Sequence, residues 1–339
     1  MGHFILTNLN STMKHFIFIT AAFIALSVLS SCTDKDYDVV KSFPEEGEAT
    51  LVMEIPYNPT EYFLSSITWT DGYWVYRLRD EPFFVLLDSN FNEITRFGRK
   101  GNGPNEFLSP MLSKVTSGTD SVDVCFYDWS KGRLYNASVN KNNGDVHISE
   151  LKDFGKRMRY VSALDDGRYI CSAENNRYYF LEKNGQEHYL EGWGDEVNEA
   201  VELSSTYVPT FQSLSAISPD NNLFAVYSIS HQVLILHDMN GKRLNTVYIS
   251  KEPDMGLYDS EIGSFNDIVF IGDTIVALYE SVEDECSYLM VFDRKLSPLK
   301  RYRLPINGDT MTGNPKKGVV TVLSYDDEKM YCYDLSEWL

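Results

Sequence analysis

The sequence predicts an all-β chain of six repeated sheets, and three observations carry that prediction. From Ala49 onward helical periodicity is scarce, and short apolar runs alternate with Asn, Asp and Gly turns. The 339 residues include 22 Tyr and 19 Phe, side chains that favour strands. An apolar run ending in an acid recurs at Asp88, Asp128, Glu182, Asp238, Asp293 and Asp334, at intervals of 40, 54, 56, 55 and 41 residues. That spacing suits four strands per unit. Six such sheets set in a ring form a six-bladed β-propeller.

The first 31 residues read as an address rather than as part of the fold. Lys14 is the only Lys, Arg, Asp or Glu before Asp34, and the apolar run from Phe16 to Leu29 follows it. That run is shorter than the roughly 20 residues a membrane-spanning helix needs, so it reads as a secretory signal. Met13 is a natural start for it, with residues 1–12 a mis-assigned beginning. The run ends in Leu29-Ser30-Ser31-Cys32, which resembles the lipobox of bacterial lipoproteins. The resemblance implies cleavage before Cys32 and acylation of that residue, with the membrane as a partner through the lipid anchor. Several acyl chains, each methylene worth about 0.8 kcal/mol, anchor stably where one does not.

Residues 32–48 are polar and acidic, and they read as a tether. Asp34, Asp36 and Asp38 begin like a calcium loop, but Val39 stands where the tight turn needs glycine. An acidic cluster behind a lipidated cysteine also resembles the surface-export signals of some Gram-negative lipoproteins. Outer-membrane location, facing the periplasm or the outside, is the expectation.

The propeller is expected over 49–339. After Asp334 only five residues remain, so the last unit lacks an outer strand, whereas Ala49–Ile55 is a strand without a unit of its own. Pairing the two would close the ring and remove an exposed edge. The six acids are expected to cap turn amides at the ends of third strands. Cys125, Cys171, Cys286 and Cys332 lie in strand-like runs with no CxxC spacing. Disulfides are permitted outside the cytoplasm, but no pairing is favoured.

Two segments carry a further likeness. Phe97-Gly98-Arg99-Lys100-Gly101-Asn102-Gly103-Pro104-Asn105-Glu106-Phe107 resembles the Gly-Pro-Gly-Glu-Phe segment between blades of TolB-like six-bladed propeller lipoproteins. Ser218-Pro219-Asp220-Asn221-Asn222 is similar to their Ser-Pro-Asp-Gly hairpin turns. Asn105 and Asn221 replace glycines, and Asn tolerates positive φ better than most residues. The resemblance implies architecture and envelope location, and it transfers no catalytic residue.

Forty-nine acidic against 30 basic side chains, a net charge of −19, argue against nucleic-acid binding. No dinucleotide, Walker, zincin or nucleophile-elbow motif is present, and neither a cofactor nor a metal is expected. His231 and His237 would lie too far apart along one strand to share a metal. Asp120-Ser121-Val122, Asp273-Thr274-Ile275 and Asp309-Thr310-Met311 match a short O-glycosylation pattern.

The inter-blade connections, 98–110, 152–158, 193–211, 250–264 and 305–316, should gather around one mouth of the channel. They bring Arg99, Lys100, Lys156, Arg157 and Arg159 together with Trp193, Tyr207, Phe211 and Gln212. Such a rim suits an anionic or sugar-like ligand or an acidic loop. The expected function is a non-enzymatic envelope module that recognises a peptide, glycan or envelope protein through Arg99, Lys100, Arg157, Arg159, Tyr207 and Gln212. The alternative is a metal-assisted hydrolase or lyase in the central channel. It would need several inward acids or amides, and the expected inner strands offer little beyond Asn266, Asp267 and Gln212.

Overall fold

The structure is a computed structural model that describes residues 37–58, 64–172, 178–191, 213–220, 222–228, 232–249 and 263–339. Cys32, Trp193, Tyr207, Phe211, Gln212, Asn221 and His231 lie outside the described residues, as does the calcium-like start at Asp34 and Asp36.

Six antiparallel four-stranded sheets follow one another along the chain. Blade 1 comprises Leu64–Thr70, Tyr73–Leu78, Phe84–Asp88 and Glu93–Phe97. Blade 2 comprises Pro110–Ser117, Ser121–Asp128, Arg133–Asn140 and Val146–Asp153, and blade 3 Tyr160–Ala163, Tyr169–Ser172, Tyr178–Leu181 and Glu187–Tyr189. Blade 4 comprises Ser213–Ile217, Leu223–Ser228, Val233–Asp238 and Arg243–Ile249, and blade 5 Gly263–Ile271, Thr274–Ser281, Cys286–Phe292 and Pro298–Arg303. Blade 6 takes Thr310–Asn314, Val319–Ser324 and Lys329–Asp334 from the end of the chain and Thr50–Pro56 from its beginning. Leu51 stands opposite Tyr333 and Glu54 opposite Tyr331, so the front strand closes the last blade.

Apolar side chains on both faces of the middle strands pack one blade against the next, giving one core cluster at each seam. Blades 1 and 2 meet at Phe84 and Phe126, whose ring centroids are 4.8 Å apart. Tyr127 and Met158 join blades 2 and 3, and Tyr178 and Phe224 blades 3 and 4. Tyr227 meets Phe265 between blades 4 and 5, and Ile271 and Met311 share the seam of 5 and 6. The last seam, between blades 6 and 1, holds Ile55, Met330 and Tyr76. Each buried side chain of this kind contributes about 1.5–3 kcal/mol, so the ring is held by its six apolar seams.

Two expectations need correction. Asp128 ends the second strand of blade 2, not its third. The third strand ends at Asn140, whose amide oxygen accepts the Asn142 and Asn143 amides at 2.9 and 3.2 Å. Asn and Asp make the same turn, so in this blade the acid that continues the repeat stands on the neighbouring strand. The stretch expected to be a tether also folds from Asp38 onward. Asp38–Val40 lies beside the outer strand of blade 4, and Val40 and Phe43 are buried between blades 4 and 5. Glu45–Glu48 pairs in parallel with the outer strand of blade 5, and Arg301 holds Glu46 at 2.7 Å. The paired valines and Phe43 among the acids are the signal of that docking.

Local sequence explains the turns. Asp88, Asp238 and Asp293 each accept two turn amides at 2.7–2.9 Å. In the glycine-rich segment Asn105 takes a φ of 58° in place of glycine, and the Glu106 carboxylate accepts the Gly103 amide at 2.8 Å. A Cβ on Gly101 would lie 2.1 Å from that carboxylate. The four cysteines of the blades are buried free thiols.

Candidate functional site

The innermost strands enclose a channel cavity of about 660 Å³, lined from blades 1, 2, 3, 5 and 6. A second space of about 420 Å³, lined by Lys114, Tyr160, Ser162, Asp165 and Pro219 among others, opens at the end where first strands turn into second strands. Lys114 lines both and pairs there with Asp165.

Asn266 and Asp267 do line the channel, and the structure commits both to holding blades together. One Asp267 oxygen accepts the Thr310 hydroxyl at 2.6 Å and the Met311 amide at 2.9 Å, from blade 6. Asn266 donates from Nδ2 to the Gly308 carbonyl at 2.8 Å and to Glu280 at 3.2 Å. Burial raises the Asp267 pKa against the pull of its hydrogen bonds. Desolvation also raises that of Asp309, whose carboxylate accepts the Tyr325 amide at 2.7 Å.

The cavity has a basic end that the sequence reading missed. Arg77, from the second strand of blade 1, lines it beside Tyr325 and donates from Nε to the Pro110 carbonyl at 3.0 Å. Arg79 stands two residues on, with its guanidinium 5.6 Å from the Tyr325 ring centroid. Burial, and then the neighbouring Arg79 charge, lower the Arg77 pKa. A lone charge in the otherwise uncharged run Tyr73–Leu78 was the available signal.

Of the expected rim residues, Arg99, Lys100, Lys156, Arg157 and Arg159 are described, and they lie at that same end, on the described connections from blade 1 to 2 and from blade 2 to 3. Arg99 and Lys100 are exposed and pair in parallel with Glu106 and Phe107, and the Lys100 amide donates to Glu81 at 2.8 Å. Arg157 is exposed over Trp129, 5.1 Å from its ring centroid. Arg159 uses its amide to reach the Ser172 carbonyl at 2.9 Å. None of these four lines the channel cavity. Lys156 pairs with Glu187 at 2.6 Å.

His237, Thr274 and Thr310 have structural roles. His237 is buried, its Nε2 is 2.9 Å from the Glu191 carbonyl, and burial lowers its pKa. Of the glycosylation-like hydroxyls, Thr274 is buried and donates to Ile271, Thr310 donates to Asp267, and Ser121 is half-exposed. Among the described residues no three His, Cys, Asp or Glu side chains gather as a metal site. No helix among them is long and apolar enough to cross a membrane.

No protein-family model and no curated protein matches the sequence. Solved structures do resemble the fold. A DUF4221-family protein of Bacteroides vulgatus aligns at 10% identity and a TM-score of 0.56, over 85% of this chain and 97% of its own. A protein of Bacteroides fragilis described as exported aligns at 10% identity and a TM-score of 0.50, over 82% and 87%. The fold is a six-bladed β-propeller. At such identities the likeness establishes architecture and no activity.

Proposed function

We propose that the chain is an extracytoplasmic binding module, anchored by lipid on Cys32, that recognises a peptide, glycan or envelope protein at the rim of its propeller. The observation that carries the binding reading over a channel enzyme is the commitment of Asn266 and Asp267. Both line the channel from the inner strand of blade 5, and both are engaged, Asp267 with Thr310 and Met311 of blade 6 and Asn266 with Gly308 in the connection that leads to it. Arg99, Lys100, Arg157 and Arg159, joined by Tyr207 and Gln212, are the proposed contact residues. Exposed guanidiniums, one of them over Trp129, favour an acidic or sugar-like surface. The lipobox, the TolB-like segments and the exported structural neighbour support the envelope location by analogy.

Two measurements test this. Cys32→Ser should move the chain from the membrane fraction to the soluble one, and unchanged fractionation would remove the anchor from the proposal. Glycan and peptide arrays probed with the wild type and with the Arg99→Glu, Arg157→Glu, Arg159→Glu triple variant should show binding that the variant loses. Equal binding by both would place recognition elsewhere.

A further inference from the structure

We propose that the central channel is itself a binding site for a small ligand bearing a carboxylate or phosphate, held by Arg77 beside Ser66. The proposal rests on the binding-module reading but on different residues from the rim, so the two can fail separately.

Arg77 and Ser66 stand opposite one another on the first two strands of blade 1, and both line the 660 Å³ cavity. Arg77 is half-buried, and among the described residues its side chain makes one hydrogen bond, from Nε to the Pro110 carbonyl. Among the described residues it forms no ion pair, and the groups that bear on its charge are the Arg79 guanidinium and the Tyr325 phenol.

An un-neutralised, half-buried guanidinium beside a second one is unusual in a chain with 49 acidic residues. Desolvating a cation is costly unless an anion answers it. The nearby acids do not answer Arg77: Asp267 is turned to Thr310 and Met311, and Asp309 accepts the Tyr325 amide and bears on Arg79 instead. With Nε used, the terminal nitrogens still offer donors suited to an oxyanion. The Ser66 hydroxyl adds another donor on the same face, and a 660 Å³ volume suits a ligand of sugar to disaccharide size.

The test is thermal unfolding of the full chain at matched ionic strength with millimolar inorganic phosphate, D-glucuronate or glucose. Phosphate, glucuronate or both should raise Tm saturably, identifying the favoured oxyanion, and glucose should not. Arg77→Lys should weaken the apparent affinity about tenfold, because an ammonium cannot form the two-pronged contact. Ser66→Asp would place a carboxylate opposite Arg77. It should raise Tm without added anion and abolish the response to anion, a gain that a misfolded variant could not show. Lys242→Glu, on an exposed outer turn of blade 4, should respond like the wild type. A flat response to both anions, or an unaltered response in Ser66→Asp and Arg77→Lys, would overturn the proposal.

Discussion

Asp267, in the innermost strand of blade 5, accepts a hydrogen bond at 2.6 Å from the hydroxyl of Thr310 in the innermost strand of blade 6. The Met311 amide adds a second at 2.9 Å, and the other carboxylate oxygen takes the Ile268 amide at 2.8 Å. Asp267→Ala would orphan groups on two blades, and its expected cost is about 1–3 kcal/mol in urea unfolding. The pH dependence has a definite sign. Burial raises the folded pKa above its ordinary value of 3.8, so the folded chain binds this proton more tightly than the unfolded one. The favourable contribution is complete below 3.8 and is lost as pH rises through the folded pKa. The wild type's advantage over Asp267→Asn should therefore shrink as pH rises above the ordinary 3.8. An advantage that grows with pH would contradict this account.

Closure of the ring rests on the borrowed strand. Ile55 is buried in the seam between blades 6 and 1, whereas Leu51, Val52 and Met53 on the same strand are exposed. Ile55→Ala should destabilise the chain by about 2–5 kcal/mol, and Val52→Ala by less than about 0.5 kcal/mol. Denaturant midpoints at unchanged slope would measure both. Equal effects at the two positions would mean that the latch contributes little to the ring.

The repeat was legible because a blade writes itself in short range: an apolar third strand, an acid, and a turn. Its failure at Asp128 came from the same cue, since Asn140 makes the expected turn without an acid. The latch was legible from a strand left over at each end. Arg77 was legible only as a lone charge in an otherwise uncharged run, a cue that does not separate a channel-facing arginine from a solvated one. Its role depends on Pro110 and Tyr325, 33 and 248 residues away in the sequence, arriving at the same place. The docking of 38–48 was hidden by its acids, whose partners Lys300 and Arg301 lie at the far end of the chain.

Asp220 ties a turn of blade 4 to blade 5. Its carboxylate accepts the Ser218 hydroxyl at 2.6 Å, the Asn222 side chain at 3.0 Å and Arg294 at 2.6 Å. These contacts, the Ser218 hydroxyl foremost, hold its pKa well below the usual carboxylate range. The stability it supplies is present above the ordinary 3.8 and fades as pH falls below it. Asp220→Asn should be less stable than wild type at neutral pH and converge with it in acid. Partial exposure of both charges limits the Arg294 share to under about 1 kcal/mol, and added salt should reduce it. A gap that persists unchanged at low pH would show that shape, not charge, matters at this turn.

The thiols give a chemical test of both the core and the anchor. Cys125, Cys171, Cys286 and Cys332 are buried and unpaired. Burial pushes the Cys125 thiol up to about 11 and the Cys171 thiol up to about 12, so neither supplies appreciable thiolate near neutrality. Native protein should react only slowly with a disulfide reagent, and a reductant should leave its Tm unchanged. After unfolding, four blade cysteines should titrate in chain purified from membranes, because an acylated Cys32 has no free thiol. The sequence holds five cysteines, so a fifth equivalent would mean that Cys32 is unmodified. Fewer than four would reveal a disulfide that the buried, separate thiols of the blades do not form.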